Sequence, residues 1–308
     1  MDFPVFDLHC DTSNELMLGH ELKENRFHID LKKASQLDGY AQCFACFTTS
    51  YKNEDPQELF LRKKNAILRE LKKNPNQISQ VFTASQLQEN GKNHKMSAIL
   101  TIEGAAGIGF DPSRLEELYG EGFRITSLGW NEKNPLTGSH TTGGGLTDLG
   151  RAYVKECQRV GMLVDVSHIS DEGFWDIMEM TKAPIVATHS DSRFVWNHSR
   201  NLTDEMFREI CRSGGVAGIN LYADFLGNPC GLETVCDHVF HWLELDPDGK
   251  HIALGGDLDG CERLPKGFTG IQDYPALARA LLDRGLDEKT VRRIFWDNAF
   301  RTVQAAWR

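Results

Sequence analysis

Short apolar runs alternate with helical patterns along almost the whole of this 308-residue chain, and this alternation constrains the fold more than any other feature. Eight runs are rich in apolar or β-branched residues and end at polar or glycine residues, which is typical of buried strands. These predicted strands are Val5–Leu8, Ala41–Thr48, Ser97–Ile102, Arg124–Leu128, Met162–Val166, Ile185–Thr188, Val216–Asn220 and Ile252–Leu254. Because strands alternate with helices, we expect a parallel sheet with crossover connections.

The predicted helices begin at recognisable capping residues. Asp55 precedes Pro56 at the first helical position and Glu58 at the third, a typical helix start. Similar N-cap candidates precede later apolar periodic segments, namely Thr147, Ser170, Thr203 and Asp287. The C-terminal segment Glu288–Trp307 predicts one or two amphipathic helices that close the structure.

Eight strand–helix units favour a closed (β/α)₈ TIM-type barrel over an open doubly wound sheet. An open sheet predicts a phosphate-binding glycine loop after an early strand, whereas Gly143-Gly144-Gly145 lies in a polar loop and opens no strand–helix turn. No repeat or linker divides the chain. We therefore expect a single barrel domain over residues 1–308, with its active site at the C-terminal ends of the strands.

Composition and net charge limit the classes of molecule that the chain is expected to bind. Hydrophobic residues make up 40% and charged residues 25% of the sequence, enough to build a large core. A net charge of -10 disfavours binding to nucleic acid or to an anionic membrane. The segment Met1–Pro4 has no leader character, and no later run reaches the roughly 20 apolar residues of a membrane span. We expect a cytoplasmic protein.

The eight cysteines are too sparse for a disulfide framework, so reduced thiols are expected. Cys43-Phe44-Ala45-Cys46 has the spacing of a redox or metal motif but lies in a predicted strand. Positions i and i+3 of a strand face opposite sides, so the two sulfurs should not meet.

Residues able to bind metal recur at the C-terminal ends of the predicted strands. His9 and Asp11 follow the first strand and, two apart on extended backbone, should point the same way. Glu103 ends the third strand, directly before Gly104. Taken singly, an HxD pair or a loop carboxylate is more often a surface feature than a ligand.

The later strands add further residues of this kind. His168 and His189 follow the fifth and sixth strands, and Asp257 stands just beyond the eighth. A single histidine there is more often packed or hydrogen-bonded than metal-bound, and one aspartate in a glycine-rich turn is ordinarily a turn former. Six such residues on one rim are difficult to explain as six unrelated features.

Three histidines with two or three carboxylates suit divalent ions of the zinc type. These residues exceed the needs of one tetrahedral catalytic zinc, which indicates two metals sharing a bridging carboxylate. Such a pair can lower the pKa of a bridging water and polarise a carbonyl, so no serine or cysteine nucleophile is needed.

An ordered set of motifs resembles the membrane (renal) dipeptidase family, peptidase family M19 of the amidohydrolase superfamily, in a soluble bacterial-type form. The matching segments are Asp7-Leu8-His9-Cys10-Asp11, Ile102-Glu103-Gly104-Ala105, Val164-Asp165-Val166-Ser167-His168, Thr188-His189-Ser190, Ser199-Arg200-Asn201 and Gly255-Gly256-Asp257-Leu258-Asp259-Gly260. Leu115, Leu118, Tyr119, Gly122 and Arg124 extend the match. No single piece is decisive, but the ordered set is specific and spans most of the chain.

The resemblance implies a binuclear zinc-dependent dipeptidase that cleaves short dipeptides, including L-Xaa-D-Xaa, with a metal-bridging hydroxide. It implies that His9 and Asp11 bind one metal, that His168 and His189 bind the other, and that Glu103 bridges them. It also implies that Arg200 receives the substrate carboxylate and that Asp257 handles protons, with Asp259 as the second choice. We expect the chain to bind a small dipeptide substrate, and association into a homodimer is compatible with the sequence.

Two positions depart from the family pattern. A histidine beyond the fourth strand, thought to stabilise the tetrahedral intermediate, is matched by Leu128. A tyrosine after the seventh strand is matched by Phe225, although Tyr222 lies three residues before it. His140 is a candidate substitute for the histidine, but an ordinary exposed loop residue is the stronger expectation.

Two alternatives to the dipeptidase remain open. One keeps the metal site and assigns another amide, a lactone or an ester as substrate. The other is a catalytically inactive metal-binding barrel, which the departure at Leu128 keeps in consideration.

Overall fold

A computed structural model describes residues 3–50 and 54–307 and contains, within those ranges, nine strands in one parallel sheet. The strands are β1 (Val5–Cys10), β2 (Tyr40–Phe47), β3 (Ile78–Gln80), β4 (Met96–Glu103), β5 (Phe123–Ser127), β6 (Leu163–Asp165), β7 (Ile185–Ala187), β8 (Val216–Ile219) and β9 (Ile252–Leu254). Their order is β2-β1-β9-β8-β7-β6-β5-β4-β3, and a further pairing of β2 with β4 closes the barrel. The predicted (β/α)₈ barrel is confirmed.

All eight predicted strands are present, and β3 is the one that the sequence did not reveal. It has three residues and pairs only with the first half of β4, Met96–Ala98, outside the closed ring. Ile78 is its one buried apolar side chain, so no run of apolar residues marks it.

Thirteen α-helices occur in the described ranges, most of them in the crossover connections. They are α1 (Ser13–Met17), α2 (Leu31–Ala34), α3 (Pro56–Lys73), α4 (Ala84–Lys92), α5 (Leu115–Gly120), α6 (Asp148–Val160), α7 (Asp171–Met180), α8 (Asp204–Ser213), α9 (Ala223–Leu226), α10 (Leu232–Leu245), α11 (Tyr274–Asp283), α12 (Glu288–Arg292) and α13 (Asn298–Ala306). Short 3₁₀ turns span Ala105–Ile108, Pro112–Arg114 and Ile271–Asp273, and a π-helical turn at Arg293–Asp297 joins α12 to α13.

The predicted N-caps are confirmed, since each capping side chain accepts a hydrogen bond from a backbone N–H of the first turn. The five are Asp55, Thr147, Ser170, Thr203 and Asp287. Each such cap contributes about 1 kcal/mol to helix stability.

Alternate residues of the strands fill the barrel interior, because successive side chains of a strand face opposite sides. Phe6, Cys43, Ile99 and Val186 belong to this inner cluster, and α13 closes its lower end with Ala299 and Val303. Cys46 belongs instead to the layer between strands and helices, so Cys43 and Cys46 lie on opposite faces as expected.

The loops after β5, β7 and β9 form the C-terminal rim of the barrel, and Gly143–Gly145 lies in the first of them. This position confirms a connection rather than a nucleotide-binding turn. None of the described helices is long and apolar enough to cross a membrane.

Candidate metal centre

An irregularity in β1 aims two of the candidate ligands at the barrel mouth. The pairing of β1 with β2 shifts register between Asp7 and Cys10, and such bulges re-aim side chains beside active sites. Asp7 holds this segment, because its Oδ1 accepts hydrogen bonds from the backbone N–H groups of His9 and Gly256, both at 3.0 Å. β1 and the turn after β9 are thereby joined at the level of the site.

Glu103 lies at the centre of the cluster. It is 3% exposed, and its carboxylate oxygens face different neighbours. Oε2 lies 3.3 Å from Nε2 of His9, while Oε1 lies 3.1 Å from Nε2 of His168 and 3.8 Å from Nε2 of His189. Gly104 follows with φ +79°, and a Cβ there would meet Thr48 O at 2.2 Å, so only glycine fits the turn.

The first group of potential ligands comprises His9, Asp11, Asp257 and Oε2 of Glu103. Nε2 of His9 lies 3.4 Å from Asp11 Oδ2 and 3.8 Å from Asp257 Oδ1. Burial lowers the pKa of His9, but the carboxylates of Glu103 and Asp11 outweigh it and raise that pKa well above its usual value. Three carboxylates that converge on one imidazole in this way favour a bound cation.

The second group comprises His168, His189 and Oε1 of Glu103. The two histidine Nε2 atoms approach to 2.9 Å. Burial, followed by the charge of Arg200 among other groups, lowers the pKa of both rings well below the usual value. Both are neutral imidazoles near pH 7, the form that binds divalent metals.

The donor set fits divalent metal ions on two counts. Within residues 3–50 and 54–307, the buried atoms His9 Nε2, Asp11 Oδ1 and Glu103 Oε2 have no hydrogen-bond partner. In the second group, Nδ1 of His168 lies 2.7 Å from Oδ1 of Asn131, an acceptor, which leaves the Nε2 lone pair directed at Glu103. Carboxylate oxygens and imidazole nitrogens that converge in a buried site with so few hydrogen-bond partners are costly unless a cation lies among them.

Backbone strain occurs at two of the site residues. His168 and Asp257 adopt φ values of +70° and +53°, in the left-handed region that non-glycine residues rarely occupy. Such conformations cost about 1–3 kcal/mol each and cluster at functional sites.

Asp257 and Asp259, the first and second choices for the proton-handling role, have different contacts. Asp259 accepts hydrogen bonds from the Thr12 hydroxyl at 2.7 Å and from the His28 backbone N–H at 2.7 Å. Asp257 Oδ2 accepts one from Asn220 at 3.1 Å, and its Oδ1 faces His9. Burial, with a further contribution from Asp11, raises the pKa of Asp257 to about 7.

Arg200 is 3% exposed and lies behind the cleft. Its two terminal nitrogens donate to Ser190 Oγ and His189 O, and its Nε has no partner in the described residues. No ion pair joins the guanidinium to a carboxylate within the same ranges. Its carbon Cζ lies 5.7 Å from the centre of the Phe225 ring, which lines the cleft.

The cleft above the ligands has a volume of about 380 Å³. Its aromatic lining consists of Phe47, Trp130, Tyr222 and Phe225. Leu128, the residue matched to the family histidine, does not line the cleft, since it is 1% exposed and packs in the hydrophobic core. Trp130 and Asn131 line the cleft instead.

His140 is not the exposed loop residue that the sequence suggested. It is half-buried, with Nε2 2.9 Å from Asn131 Oδ1 and Nδ1 2.9 Å from Ser199 Oγ. Burial and then the Arg200 charge lower its pKa to about 3. His140 therefore braces Asn131 as a neutral ring.

Sequence reasoning assigned no role to the residues that hold the ligands from behind. Asn131 contacts Nδ1 of His168, Thr188 contacts Nδ1 of His189, and Asp165 accepts from the Thr188 hydroxyl. One signal was present: Asp7 lies two residues before His9, and Asp165 lies three residues before His168.

A separate cluster lies at the opposite end of the barrel. Cys211, Asp246 and His251 offer ligand atoms within 4.8 Å of one another and are half-buried. Burial raises the pKa of the Cys211 thiol to about 12, so this cysteine is a protonated thiol near pH 7 rather than the thiolate that binds metal.

Known proteins resemble this chain over most of its length. A family model described as membrane dipeptidase (peptidase family M19) matches residues 1–307. An uncharacterised dipeptidase of Schizosaccharomyces pombe is 32% identical over 224 residues, 70% of this chain but only 54% of that relative's length. A second uncharacterised dipeptidase of the same organism is 30% identical over 306 residues, covering 92% of this chain and 73% of the relative.

Solved structures cover the whole chain. A metallopeptidase of family M19, dipeptidase AC, superimposes with a TM-score of 0.93 at 28% identity and covers 100% of this chain and 99% of its own. A metallopeptidase from Rhodobacter sphaeroides, liganded with a phosphinate mimic of L-Ala-D-Ala, gives 0.92 at 27% identity with both chains fully covered.

Proposed function

The chain belongs to the membrane dipeptidase family and is a metal-dependent dipeptidase, and from that premise we propose that it cleaves dipeptides bearing a free C-terminal carboxylate with two divalent metal ions, zinc in the first instance. The observation that carries the two-metal proposal is the placement of Glu103, whose two oxygens face separate histidine groups. We propose this for a single domain over residues 1–308.

His9 and Asp11 would hold one ion, His168 and His189 the other, and Glu103 both. When bound, such ions activate water and polarise the scissile carbonyl. The protein supplies fixed ligand positions: Asp7 ties His9 to the turn before Asp257, and Asn131 orients His168.

Asp257 is the proton-transfer group of the proposal. Its Oδ1 faces the ligand cluster, so it can take a proton from the attacking water and return it to the leaving amine nitrogen. Asn220 fixes the other oxygen of the same carboxylate, which keeps Oδ1 directed at the cleft.

Arg200 would recognise the substrate carboxylate. A buried guanidinium without a carboxylate partner in the described residues is an unusually strong anion site, because charge-assisted bonds are short and strong. Recognition at a fixed distance from the metal ligands would restrict the enzyme to short substrates. Phe225 lies beside the Arg200 guanidinium and lines the cleft, so it would contact the C-terminal residue.

The stereochemistry of the second residue is a further part of the proposal. The Rhodobacter relative binds a mimic of L-Ala-D-Ala, which supports an L,D preference for this chain as well. A matched library of L,L and L,D dipeptides tests it directly.

Hydrolysis of a dipeptide and of its C-terminal amide, by the parent and by Arg200→Met, tests the carboxylate clamp. Charge-assisted hydrogen bonds contribute about 1.5–3 kcal/mol each, so amidation should lower kcat/KM at least about tenfold. Arg200→Met should impose a similar loss on the dipeptide and little more on the amide, since both changes delete one interaction.

Equal hydrolysis of dipeptide and amide by the parent would contradict the clamp. Such a result would favour an amidohydrolase acting on another amide, a lactone or an ester. Absence of any turnover by fully loaded protein would favour the inactive metal-binding barrel.

A further inference from the structure

A chain of three side chains runs from the interior of the barrel to His189. Oδ1 of Asp165 accepts the backbone N–H groups of Ser167 and Thr188, both at 2.9 Å. Its Oδ2 lies 2.5 Å from the hydroxyl of Thr188, and that hydroxyl lies 2.7 Å from Nδ1 of His189. All three side chains are buried.

The direction of these hydrogen bonds follows from the donors available. Oδ1 of Asp165 already accepts two backbone N–H groups, and its Oδ2 accepts the single hydroxyl proton of Thr188. The Thr188 oxygen can then only accept, and Nδ1 of His189 must carry a hydrogen. A neutral imidazole has one N–H, so Nε2 of His189 is left with a lone pair.

No other hydroxyl competes strongly for the Thr188 proton. Ser167 Oγ lies 3.5 Å from Thr188 Oγ1, whereas Asp165 Oδ2 lies only 2.5 Å from it. Ser167 Oγ itself accepts a hydrogen bond from the backbone N–H of His189 at 3.2 Å. The Thr188 backbone is also fixed, because glycines of neighbouring segments pack on its carbonyl. A Cβ at Gly218 or Gly255 would lie 2.1 or 1.6 Å from that oxygen.

We infer that Thr188 is a positioning residue that sets the tautomer of His189 by coupling it to Asp165. Nε2 of His189 is thereby presented to the second metal position as an acceptor. His168 reaches the same state by another route, since its Nδ1 faces the amide oxygen of Asn131 directly. Partners of this kind orient metal-binding histidines and change metal affinity about 10- to 100-fold. The inference rests on the proposed two-metal function.

Zn²⁺ titration of the metal-free full-length chain against a competing chelator measures the effect. Thr188→Val keeps the shape of the side chain and removes the hydroxyl, so the Zn²⁺ affinity of the second position should fall about 10- to 100-fold. Thr188→Ser keeps the hydroxyl and should restore the parental affinity. The binding step assigned to His9 and Asp11 should change little in both variants.

Asp165→Asn is the sharper variant. In this variant the amide oxygen can still accept from the two backbone N–H groups, and the amide nitrogen then donates a hydrogen bond to the Thr188 oxygen. The Thr188 hydroxyl must therefore donate its own proton to Nδ1 of His189. The His189 proton would move to Nε2 and block metal binding. Its Zn²⁺ affinity should fall at least as far as that of Thr188→Val.

Long-range ¹H–¹⁵N correlation spectra of the metal-free chain, labelled at histidine, report the tautomer independently of metal. The parent and Thr188→Ser should show His189 protonated at Nδ1, and Asp165→Asn should show it protonated at Nε2. Parental Zn²⁺ affinity in Thr188→Val, or an Nε2–H tautomer of His189 in the parent, would overturn the inference. A parent that binds one Zn²⁺ but has the Nδ1–H tautomer would overturn the two-metal function and leave the coupling intact.

Discussion

Gly260 offers a steric test of the first metal position. A Cβ at this residue would lie 2.3 Å from Oδ2 of Asp11 and 2.6 Å from Oδ1 of Asp257. Ordinary contact begins at 3.4 Å, so Gly260→Ala requires the Asp11 oxygen to withdraw by about 1 Å. The backbone φ of Gly260 is not in the left-handed region, so alanine adds no backbone strain there.

A displacement of that size is large for a metal ligand. Zinc–carboxylate distances are about 2.0–2.2 Å and tolerate shifts of about 0.2 Å, so Asp11 should stop binding. A misplacement of about 1 Å at a catalytic site costs on the order of 10²-fold. We therefore expect kcat/KM to fall about 10²-fold, close to 2.7 kcal/mol of transition-state stabilisation, and the Zn²⁺ affinity of the first position to fall as well.

Steady-state hydrolysis of a dipeptide and Zn²⁺ titration are the assays. Gly91→Ala is the matched control, because Gly91 lies in α4 with no heavy atom within 4 Å of the added Cβ. That control should retain parental activity and metal affinity. If Gly260→Ala behaves like Gly91→Ala, the placement of Asp11 as a metal ligand with Asp257 beside it is refuted.

Two further predictions concern the proton-transfer group and the metal. Asp257→Asn should lower kcat about 10²- to 10⁴-fold with bound metal little changed. Asp259→Asn should lower kcat much less, because Asp259 accepts hydrogen bonds from Thr12 and His28 instead of facing the ligands. A larger loss of kcat in Asp259→Asn than in Asp257→Asn would show that the wrong carboxylate was chosen. Removal of metal by a chelator should abolish hydrolysis and leave far-ultraviolet circular dichroism nearly unchanged, since the inner barrel cluster is apolar and independent of the ligands; loss of the helical signal would contradict this.

The barrel was predictable because its signals are local. Each of the eight strands of the closed ring is a run of apolar residues in the sequence. Five helices begin at a capping side chain that accepts a hydrogen bond from the helix's own first turn. β3 could not be predicted because its own residues form no apolar run, and it is a strand only through its pairing with β4.

The candidate ligands were predictable for a related reason. In a parallel barrel the strand ends meet at one rim, so His9, Glu103, His168 and His189 had to lie near one another once the strands were assigned. Their pairwise distances required the structure.

The supporting residues depend on contacts between distant parts of the chain. Thr12 with Asp259, and Asp165 with Thr188, are separated by 247 and 23 positions. The burial of Leu128 and the contact of His140 with Asn131 likewise arise at the start of a long loop, where no periodic pattern fixes which side chain faces the cleft.

The number of metal ions bound per chain tests the central claim most directly. Elemental analysis of Zn²⁺-loaded, dialysed protein should give two ions per chain for the parent and about one for His168→Ala, because that substitution removes a ligand from the second position only. One ion per chain in the parent, with the same value in His168→Ala, would contradict the two-metal site.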